Sequence, residues 1–420
     1  MSSVPTALLG RSADTSPARV DSVGLYRIAL WVLLGANLLA AWGVQWDIQW
    51  HVQIGRDSFW IPPHVMTYSG VALIVLASFG VLARDTFRHL VAGRTAEGTR
   101  RIFGLAGTRG FLLAACGIAL TVLAAPIDDL WHRLFGIDVT LWSPPHLLGL
   151  LGVTINTLAC ALIAREAYPA KSWPRYVATV VALTSFYGSL SIGLRPASRL
   201  AYLYGGLWFY AFPILGALFL PLVLIAAVRL TGRRSTPIVL LIVGLAVGTI
   251  GTTIARVGFE IMQPVSIIEE EIVKDPTSPI AVSHAIARKN GGTPGAVPGG
   301  RLTRILAFAP VLLLAAADPR RRPLAATLVY AIGLFVFWAL TIGRTPAFQP
   351  MMPALGPTVV ALAITAVMAL IGASAARRLA DILVGAESGS GVDRTSTNLR
   401  PAQAHDRPAD RAQEPVGPLQ

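Results

Sequence analysis

Two stretches of the chain each carry one aspartate and two histidines, in the same order and at nearly the same spacing. The first set is Asp47, His51 and His64, and the second set is Asp128, His132 and His146. A carboxylate with two imidazoles suits copper, iron or zinc and suits magnesium or calcium poorly. Each set is therefore a candidate site for a transition-metal ion, and the residue types alone leave these three metals open.

The spacing predicts how the three side chains of a set meet. An aspartate and a histidine four residues apart point from one face of a helix end. Each distal histidine follows a proline pair, Pro62-Pro63 or Pro144-Pro145, and the fixed φ of proline suits the first turn of a helix. The distal histidine then begins the next helix, beside the end of the previous one. Three protein ligands leave coordination positions open, as in sites that bind water, oxygen or substrate.

Further acidic residues lie close to both sets. Asp57 and Asp138 match between the two stretches and are predicted to orient an imidazole N–H from the second coordination shell. For Asp57 an ion pair with the neighbouring Arg56 is the alternative. Asp129 is an alternative ligand to Asp128, but the four-residue interval to His132 favours Asp128.

The two stretches are copies of one helix hairpin. The offset between them is 81 residues at Asp47/Asp128 and 82 residues at His64/His146. Because two helices separate the copies, we expect both hairpins to have the same orientation in a membrane, as a parallel repeat. Both metal sites then face the same side.

The composition shows what kind of molecule must position these ligands. Of 420 residues, 54% are apolar and only 14% are charged, and the mean hydropathy is +0.60. No aqueous core hides so much apolar surface. We therefore predict an all-α, polytopic membrane helix bundle whose surroundings are the lipid bilayer. Apolar stretches of membrane-spanning length predict about ten helices, at residues 25–46, 64–84, 107–127, 146–165, 175–194, 204–228, 237–260, 304–318, 323–343 and 354–376.

The basic residues predict the orientation. The net charge of +13 resides in short loops between apolar segments, which indicates topology signals and headgroup contacts and argues against nucleic acid. The clusters in alternate loops are Arg11 and Arg19; Arg84, Arg88, Arg94, Arg100 and Arg101; Lys171 and Arg175; Arg229, Arg233 and Arg234; Arg320, Arg321 and Arg322; and Arg377 and Arg378. We expect both termini in the cytoplasm and the metal sites on the extracytoplasmic side of the cytoplasmic (inner) membrane.

Four regions follow from this pattern. Residues 1–23 are predicted to be a mobile N-terminal segment, and residues 24–165 the duplicated metal-binding region. Residues 166–385 complete the bundle and include an outward loop at about 264–302, with the acidic run Glu269, Glu270 and Glu271. Residues 386–420 contain almost no large apolar residues and are predicted to be a disordered cytoplasmic tail.

Over roughly residues 40–150 the chain resembles the C subunit of the copper membrane monooxygenases, the particulate methane and ammonia monooxygenases. That subunit carries an acidic residue, three residues, His, twelve residues, His, and Asp47, His51 and His64 reproduce this spacing. Trp50, Arg56-Asp57, Phe59 and Pro62 also resemble that stretch. The family's second set, Asn, three residues, His, thirteen residues, His, matches Asp128, His132 and His146.

The resemblance implies copper at one or both sites, activation of dioxygen and hydroxylation of a small apolar substrate. It also implies partner subunits, because the family's B subunit supplies a cupredoxin-like domain that this sequence lacks. The chain departs from the family pattern in three respects. Asp128 stands where the family usually has Asn, Pro63 stands where it usually has Ser, and the predicted helices are more numerous.

Two other functions remain open. One is a non-enzymatic carrier or transporter of a transition metal, for which the acidic outward loop is suited. The other is an Fe(II) oxygenase, because two histidines and one carboxylate form a known oxygen-activating ligand set. The clustered histidine pairs of membrane desaturases and a phosphate-binding glycine loop do not occur in the sequence.

Overall fold

The computed structural model describes residues 17–55, 58–92, 98–135, 140–296, 300, 303–304 and 307–385. The helices are Pro17–Gln53 (α1), Pro62–Ala92 (α2), Arg109–Phe135 (α3), Pro144–Ala167 (α4), Trp173–Gly193 (α5), Pro196–Tyr204 (α6), Ala211–Thr231 (α7), Thr236–Met262 (α8), Ile268–Lys274 (α9), Pro279–Asn290 (α10), Phe308–Ala316 (α11), Pro323–Thr341 (α12) and Leu355–Gly385 (α13). Short 3-10 turns lie at Gly206–Tyr210, Ile342–Arg344 and Gln349–Met351. Strands Arg100–Ile102 (β1) and Leu105–Gly107 (β2) form a small antiparallel hairpin. Within the described chain the fold is all-α apart from this hairpin.

Nine helical segments within the described residues are long and apolar enough to cross a membrane. This confirms the predicted class of membrane-type helix bundle. The segment expected at residues 304–318 differs from the prediction. Its described helix α11 has 9 residues, which at 1.5 Å per residue is about 14 Å, less than half of a bilayer core of about 30 Å.

The predicted terminal segments lie mostly outside the described residues. Residues 1–16 and 386–420 are not among them, so the mobile N-terminal segment and the disordered tail stay predictions there. Helix α1 begins at Pro17, ahead of the apolar stretch that was expected to start at about residue 25.

The first four helices form two packed hairpins, α1 with α2 and α3 with α4. Contacts at one end fix their directions. The Tyr26 hydroxyl donates to Asp85 Oδ2 at 2.6 Å, which places the start of α1 beside the end of α2. Arg27 Nε donates to the Ala167 carbonyl at 3.0 Å, and Gly110 N donates to Glu166 Oε1 at 3.1 Å. Helices α1 and α3 therefore begin where α2 and α4 end.

Buried side chains join the two hairpins into one body. Side chains of α1–α5, with a few from α7 and α8, form a single apolar cluster that includes Leu33, Phe111 and Ile163. A polar contact lies within it, because Asn37 Nδ2 of α1 donates to Asn156 Oδ1 of α4 at 2.8 Å. Asn156 Nδ2 in turn donates to the Ala114 carbonyl of α3 at 3.2 Å. In the second half, α7 packs against α12 and α13, and α11 packs against α12, around a separate apolar cluster.

Candidate metal centres

The first aspartate–histidine set converges at the end of α1 and the start of α2. His51 Nε2 lies 3.5 Å from Asp47 Oδ1, and His64 Nε2 lies 3.0 Å from the same oxygen. One ligand atom from each of the three residues fits within a span of 4.8 Å. The predicted grouping of these three residues is therefore present in the structure.

The second set converges in the same way at the end of α3 and the start of α4. His132 Nε2 lies 3.3 Å from Asp128 Oδ2, and His146 Nε2 lies 3.4 Å from Asp128 Oδ1. These three residues also offer ligand atoms within 4.8 Å of one another. A tetrahedral ion with bonds of about 2.0–2.1 Å has its ligand atoms about 3.3 Å apart. The four oxygen–nitrogen distances in the two sets lie around that value.

A backbone carbonyl orients each distal histidine. His64 Nδ1 lies 3.0 Å from the Ser58 carbonyl, and His146 Nδ1 lies 2.7 Å from the Thr140 carbonyl. Because a carbonyl oxygen only accepts hydrogen bonds, both Nδ1 atoms carry the proton. With Nδ1 as the donor, Nε2 is the ring atom that faces the aspartate. This second-shell contact is the common way of setting the tautomer of a metal-ligating histidine.

This tautomer leaves two acceptors facing each other in each set. Without a proton on Nε2, His64 presents a lone pair to Asp47 Oδ1 at 3.0 Å. The lone pairs of these two atoms repel each other. The buried Oδ1 atoms of Asp47 and Asp128 have no hydrogen-bond donor among the described residues. A positive charge between the atoms, either a metal ion or a second proton on the imidazole, removes the repulsion. The donor chemistry therefore fits a transition-metal ion and does not choose among copper, iron and zinc.

All six ligands are partly exposed, and the two sites differ in what surrounds them. The ligand side chains are between 19% and 32% exposed. In the first site, Trp50 stacks on Phe259 of α8 with ring centroids 5.7 Å apart. In the second site, exposed apolar side chains follow the ligands along α3, namely Leu130, Leu134 and Phe135.

The segment after α8 packs over the end of α1 beside the first site. Ile267 N donates to the Ile54 carbonyl at 2.9 Å, and the Ser266 hydroxyl donates to the Gln53 carbonyl at 2.7 Å. Gly55 ends α1 with φ of +76°, and a Cβ at Gly55 would lie 2.9 Å from Ile268 Cδ1. Glycine is required at this turn because other residues rarely adopt that φ and because the segment approaches closely.

A close helix approach holds the first site together. A Cβ at Gly43 would lie 2.7 Å from Thr67 N and 2.9 Å from the Pro63 carbonyl, immediately before His64. At the offsets of 81 and 82 residues, Gly43 and Thr67 correspond to Ala124 and Gly149. There the Ala124 Cβ faces Gly149, with 3.5 Å between it and a Cβ built on that glycine. The glycine at the close approach is therefore Gly43 on α1 in the first hairpin and Gly149 on α4 in the second. Sequence analysis missed these residues, although the repeat offset would have paired them.

The remaining acidic residues near the sites have separate outcomes. Asp129 is 64% exposed and accepts from Arg133 at 2.8 Å, so its carboxylate is engaged away from His132. This supports Asp128 as the member of the set. Asp57 and Asp138, the predicted second-shell residues, lie outside the described residues. Their second-shell role stays a prediction, and among the described residues the carbonyls of Ser58 and Thr140 contact the Nδ1 atoms of the distal histidines.

Other ionisable residues of the bundle lie apart from the two sets. His284 of α10 is close to the first site but binds the Val52 carbonyl through Nε2 at 2.7 Å. Arg256 and Glu260 form an exposed pair on α8 at 4.0 Å. Cys116 and Cys160 are both free, and both lie inside helices, α3 and α4.

Comparison of the chain with protein-family models, with curated proteins and with solved structures gives no match.

Proposed function

We propose that this chain is a membrane metalloprotein that holds copper at both aspartate–histidine sets and uses dioxygen to hydroxylate a small apolar substrate. The observation that carries the proposal is the twofold convergence of Asp, His and His with coordination positions left open. Copper is chosen from three metals that fit the donors, on the ligand spacing shared with the copper membrane monooxygenases. That choice, like the reaction, rests on the resemblance over residues 40–150.

The residues have separate roles in the proposed chemistry. Bound copper would supply the one-electron chemistry that dioxygen activation requires. Asp47 and Asp128 contribute negative charge to their sites, and the Ser58 and Thr140 carbonyls keep Nε2 of the distal histidines directed at the ion. The exposed apolar surface of α3 around Leu134 would let an apolar substrate approach from the bilayer. Further monooxygenase subunits are proposed partners that complete the electron supply.

The proposal includes a parallel repeat with both sites on the extracytoplasmic side of the cytoplasmic membrane. Several features support the repeat. The Nδ1 atoms of the two distal histidines donate to the carbonyls of Ser58 and Thr140, which are 82 residues apart. Helices α1 and α3 begin at the same end of the bundle, which places Asp47 and Asp128 toward the other end. The basic clusters at the beginning of α1 and the end of α4 favour that shared end as the cytoplasmic one.

A non-enzymatic transition-metal carrier is the second candidate, and the partial exposure of all six ligands favours it. Ligands that reach solvent allow an ion to enter and leave without opening the bundle. An Fe(II) oxygenase is the third, because the same ligand set is used with iron. One carboxylate of the acidic run that suggested transport is in an ion pair, because Glu271 accepts from Lys274 at 2.9 Å.

Metal analysis of the purified protein tests the two sites. We expect two ions per chain in the wild type, one in His51→Ala, His64→Ala, His132→Ala or His146→Ala, and none in the double variant His51→Ala/His132→Ala. His89→Ala, a histidine in the last turn of α2, is the matched control. EPR of the oxidised protein identifies copper. Unchanged metal content in all four single variants would refute both sites, and iron or zinc at full occupancy would refute copper.

A second pair of measurements separates the enzyme from the carrier. Because hydroxylation by dioxygen consumes electrons and releases water, membranes or proteoliposomes containing the copper-loaded protein are supplied with a chemical reductant and candidate apolar substrates, with and without oxygen. Oxygen-dependent product that is lost in the double variant supports the oxygenase. Uptake of radiolabelled copper that depends on the same histidines, with no oxygen consumed, supports the carrier instead.

A further inference from the structure

A cleft lined by arginines lies at the end of the bundle opposite the metal sites. The cleft is open to solvent and has a volume of about 490 Å³. The lining residues are Arg229, Arg320, Arg321, Arg322, Pro323, Leu324, Ala325 and Arg377. They come from three parts of the chain: the end of α7, the turn between α11 and α12, and the middle of α13.

Neighbouring carboxylates neutralise only part of this charge. Arg229 forms an ion pair with Asp381. Arg320 and Arg321 both contact Asp318, at 3.3 Å and 3.7 Å, and the hydrogen bond from Arg320 lowers the pKa of that carboxyl. Among the described residues, no carboxylate lies within 4.0 Å of Arg322 or Arg377.

The start of a helix and the chemistry of the arginine side chain both favour an anion in the cleft. Helix α12 begins at Pro323, so its first turn lines the cleft and adds the partial positive charge of a helix N-terminus. Guanidinium groups bind phosphate through two parallel N–H bonds, which makes a group of arginines a better phosphate site than an equal number of lysines.

Arginine clusters at a cytoplasmic membrane face are also ordinary topology signals, which need no ligand. This cleft differs from such a signal in its construction. A topology signal requires basic residues in one short loop, whereas here arginines distant in sequence surround a single concavity. The exposed Leu324 and the small Ala325 continue the lining onto the apolar surface of α12. Charge and apolar surface therefore adjoin each other, as they do in a phospholipid.

We propose that this cleft binds a phosphate group, and that its source is the headgroup of an anionic phospholipid whose acyl chains lie against the start of α12. Inorganic phosphate has the same chemistry at the anionic end and is the other source. The site is independent of the metal-binding function, because it lies at the other end of the bundle and shares no residue with the aspartate–histidine sets.

Lipid binding to the purified full-length protein tests this proposal. The double variant Arg322→Gln/Arg377→Gln removes two charges that line the cleft. The matched control Arg234→Gln/Arg378→Gln removes two exposed charges from the same end that do not line it. Native mass spectrometry in detergent measures the binding of phosphatidylglycerol and of phosphatidylcholine with the same acyl chains. Since a hydrogen bond to a charged group contributes about a tenfold factor, we expect the cleft variant to bind phosphatidylglycerol at least about tenfold more weakly.

The control variant should change phosphatidylglycerol binding by less than about threefold, because its two charges act on the headgroup only at longer range and are screened by salt, and neither variant should alter phosphatidylcholine binding. Arg322→Lys/Arg377→Lys, which keeps the charge, should lie between the wild type and the Gln variant and shows that the protein still folds. Displacement of the lipid by millimolar sodium phosphate would assign a site for free phosphate as well, and no displacement would assign it to lipid alone. Equal losses in the two double Gln variants, or equal binding of the two lipids by the wild type, would overturn the proposal.

Discussion

In each distal histidine, His64 and His146, Nδ1 is held by the backbone and Nε2 faces the aspartate of its set. Their Nδ1 atoms donate to carbonyls six residues earlier in the loop. A carbonyl of the chain cannot be removed by changing a side chain, so the tautomer is built into the fold of the loop. The aspartate supplies the negative charge of each set, so we expect ion binding to depend on that carboxylate.

Adjacent aspartates allow this dependence to be tested in the second site. Asp128→Asn keeps the shape and removes the charge beside His132 and His146, so we expect metal affinity at this site to fall by at least about tenfold. Asp129→Asn removes the same charge one residue away, at a carboxylate paired with Arg133. It should leave affinity unchanged within about twofold. Chelator competition measures both, and a larger effect from Asp129→Asn would identify Asp129 as the ligand.

At the scale of the elements, the distance between paired helices determines whether three ligands share one ion. Gly43 allows α1 to approach the start of α2 at Pro63, next to His64. In the other hairpin the positions are exchanged, with Ala124 against Gly149. Each site therefore depends on one small residue, about one helical turn from its aspartate or its distal histidine.

Overpacking at Gly43 should weaken the first site and spare the second. A methyl group at this position would meet the Thr67 hydroxyl first, and then the Thr67 N and Pro63 O backbone atoms, so it would push α2 outward at a cost of about 1–3 kcal/mol. We expect Gly43→Ala to lower metal affinity at the Asp47 site about tenfold or more. Gly35→Ala on the same helix, where a Cβ meets no atom within 4 Å, is the control.

The exchanged arrangement suggests a rescue of that variant. Gly43→Ala/Thr67→Gly reproduces the pair found at Ala124 and Gly149, so it should recover part of the affinity lost in Gly43→Ala. Metal titration compares the affinity of the wild type with that of Gly43→Ala, Gly35→Ala and Gly43→Ala/Thr67→Gly. No recovery in the double variant would show that the two hairpins do not pack by the same rule.

The asparagine contact between the hairpins should contribute measurably to stability. Asn156 is 1% exposed and joins Asn37 of α1 to the Ala114 carbonyl of α3. Polar contacts between membrane helices contribute about 0.6–2 kcal/mol, and a buried amide left without its acceptor adds to the loss. Asn156→Leu should therefore lower the free energy of unfolding by about 1–2 kcal/mol.

Ser185→Ala is the control for this change, because the Ser185 hydroxyl bonds only within its own helix, to the Val181 carbonyl. Unfolding in mixed micelles measures both variants. Equal, small effects from the two substitutions would show that the asparagine pair does not hold the hairpins together.

At the scale of the whole molecule, the predicted cytoplasmic arginine clusters gather at one end. Arg320 Nη1 donates to the Gly232 carbonyl at 3.4 Å, and Arg229 pairs with Asp381. Arg233 lies over the Tyr176 ring, 4.6 Å from its centroid. The chain returns to this end after α11 as well, because Arg320 follows that short helix. The alternation expected of ten spans stays a prediction, because nine segments of the described chain are long enough to cross a bilayer and the described helix of the eighth expected span is too short.

Cysteine labelling tests this orientation. In a background with Cys116→Ala and Cys160→Ala, we introduce Val273→Cys in α9 or Arg234→Cys in the turn after α7, both at exposed positions. A membrane-impermeant maleimide added to intact cells should label Val273→Cys and should reach Arg234→Cys only after permeabilisation. The reverse pattern would invert the topology and place the metal sites in the cytoplasm, whereas labelling of both from one side would refute the shared arginine end.

The sequence by itself determined which six residues converge in the two aspartate–histidine sets, and it determined the class of fold. The reason is that both signals are local. An interval of four residues, or a proline pair before a histidine, fixes side-chain positions within one or two helical turns. The length of an apolar stretch indicates whether it can span a bilayer. The tertiary structure decided what depends on distant residues. The approach of Gly43 to Thr67, the choice of Asp128 over Asp129 and the arginine cleft all require helices to be placed side by side, and no local spacing encodes that placement.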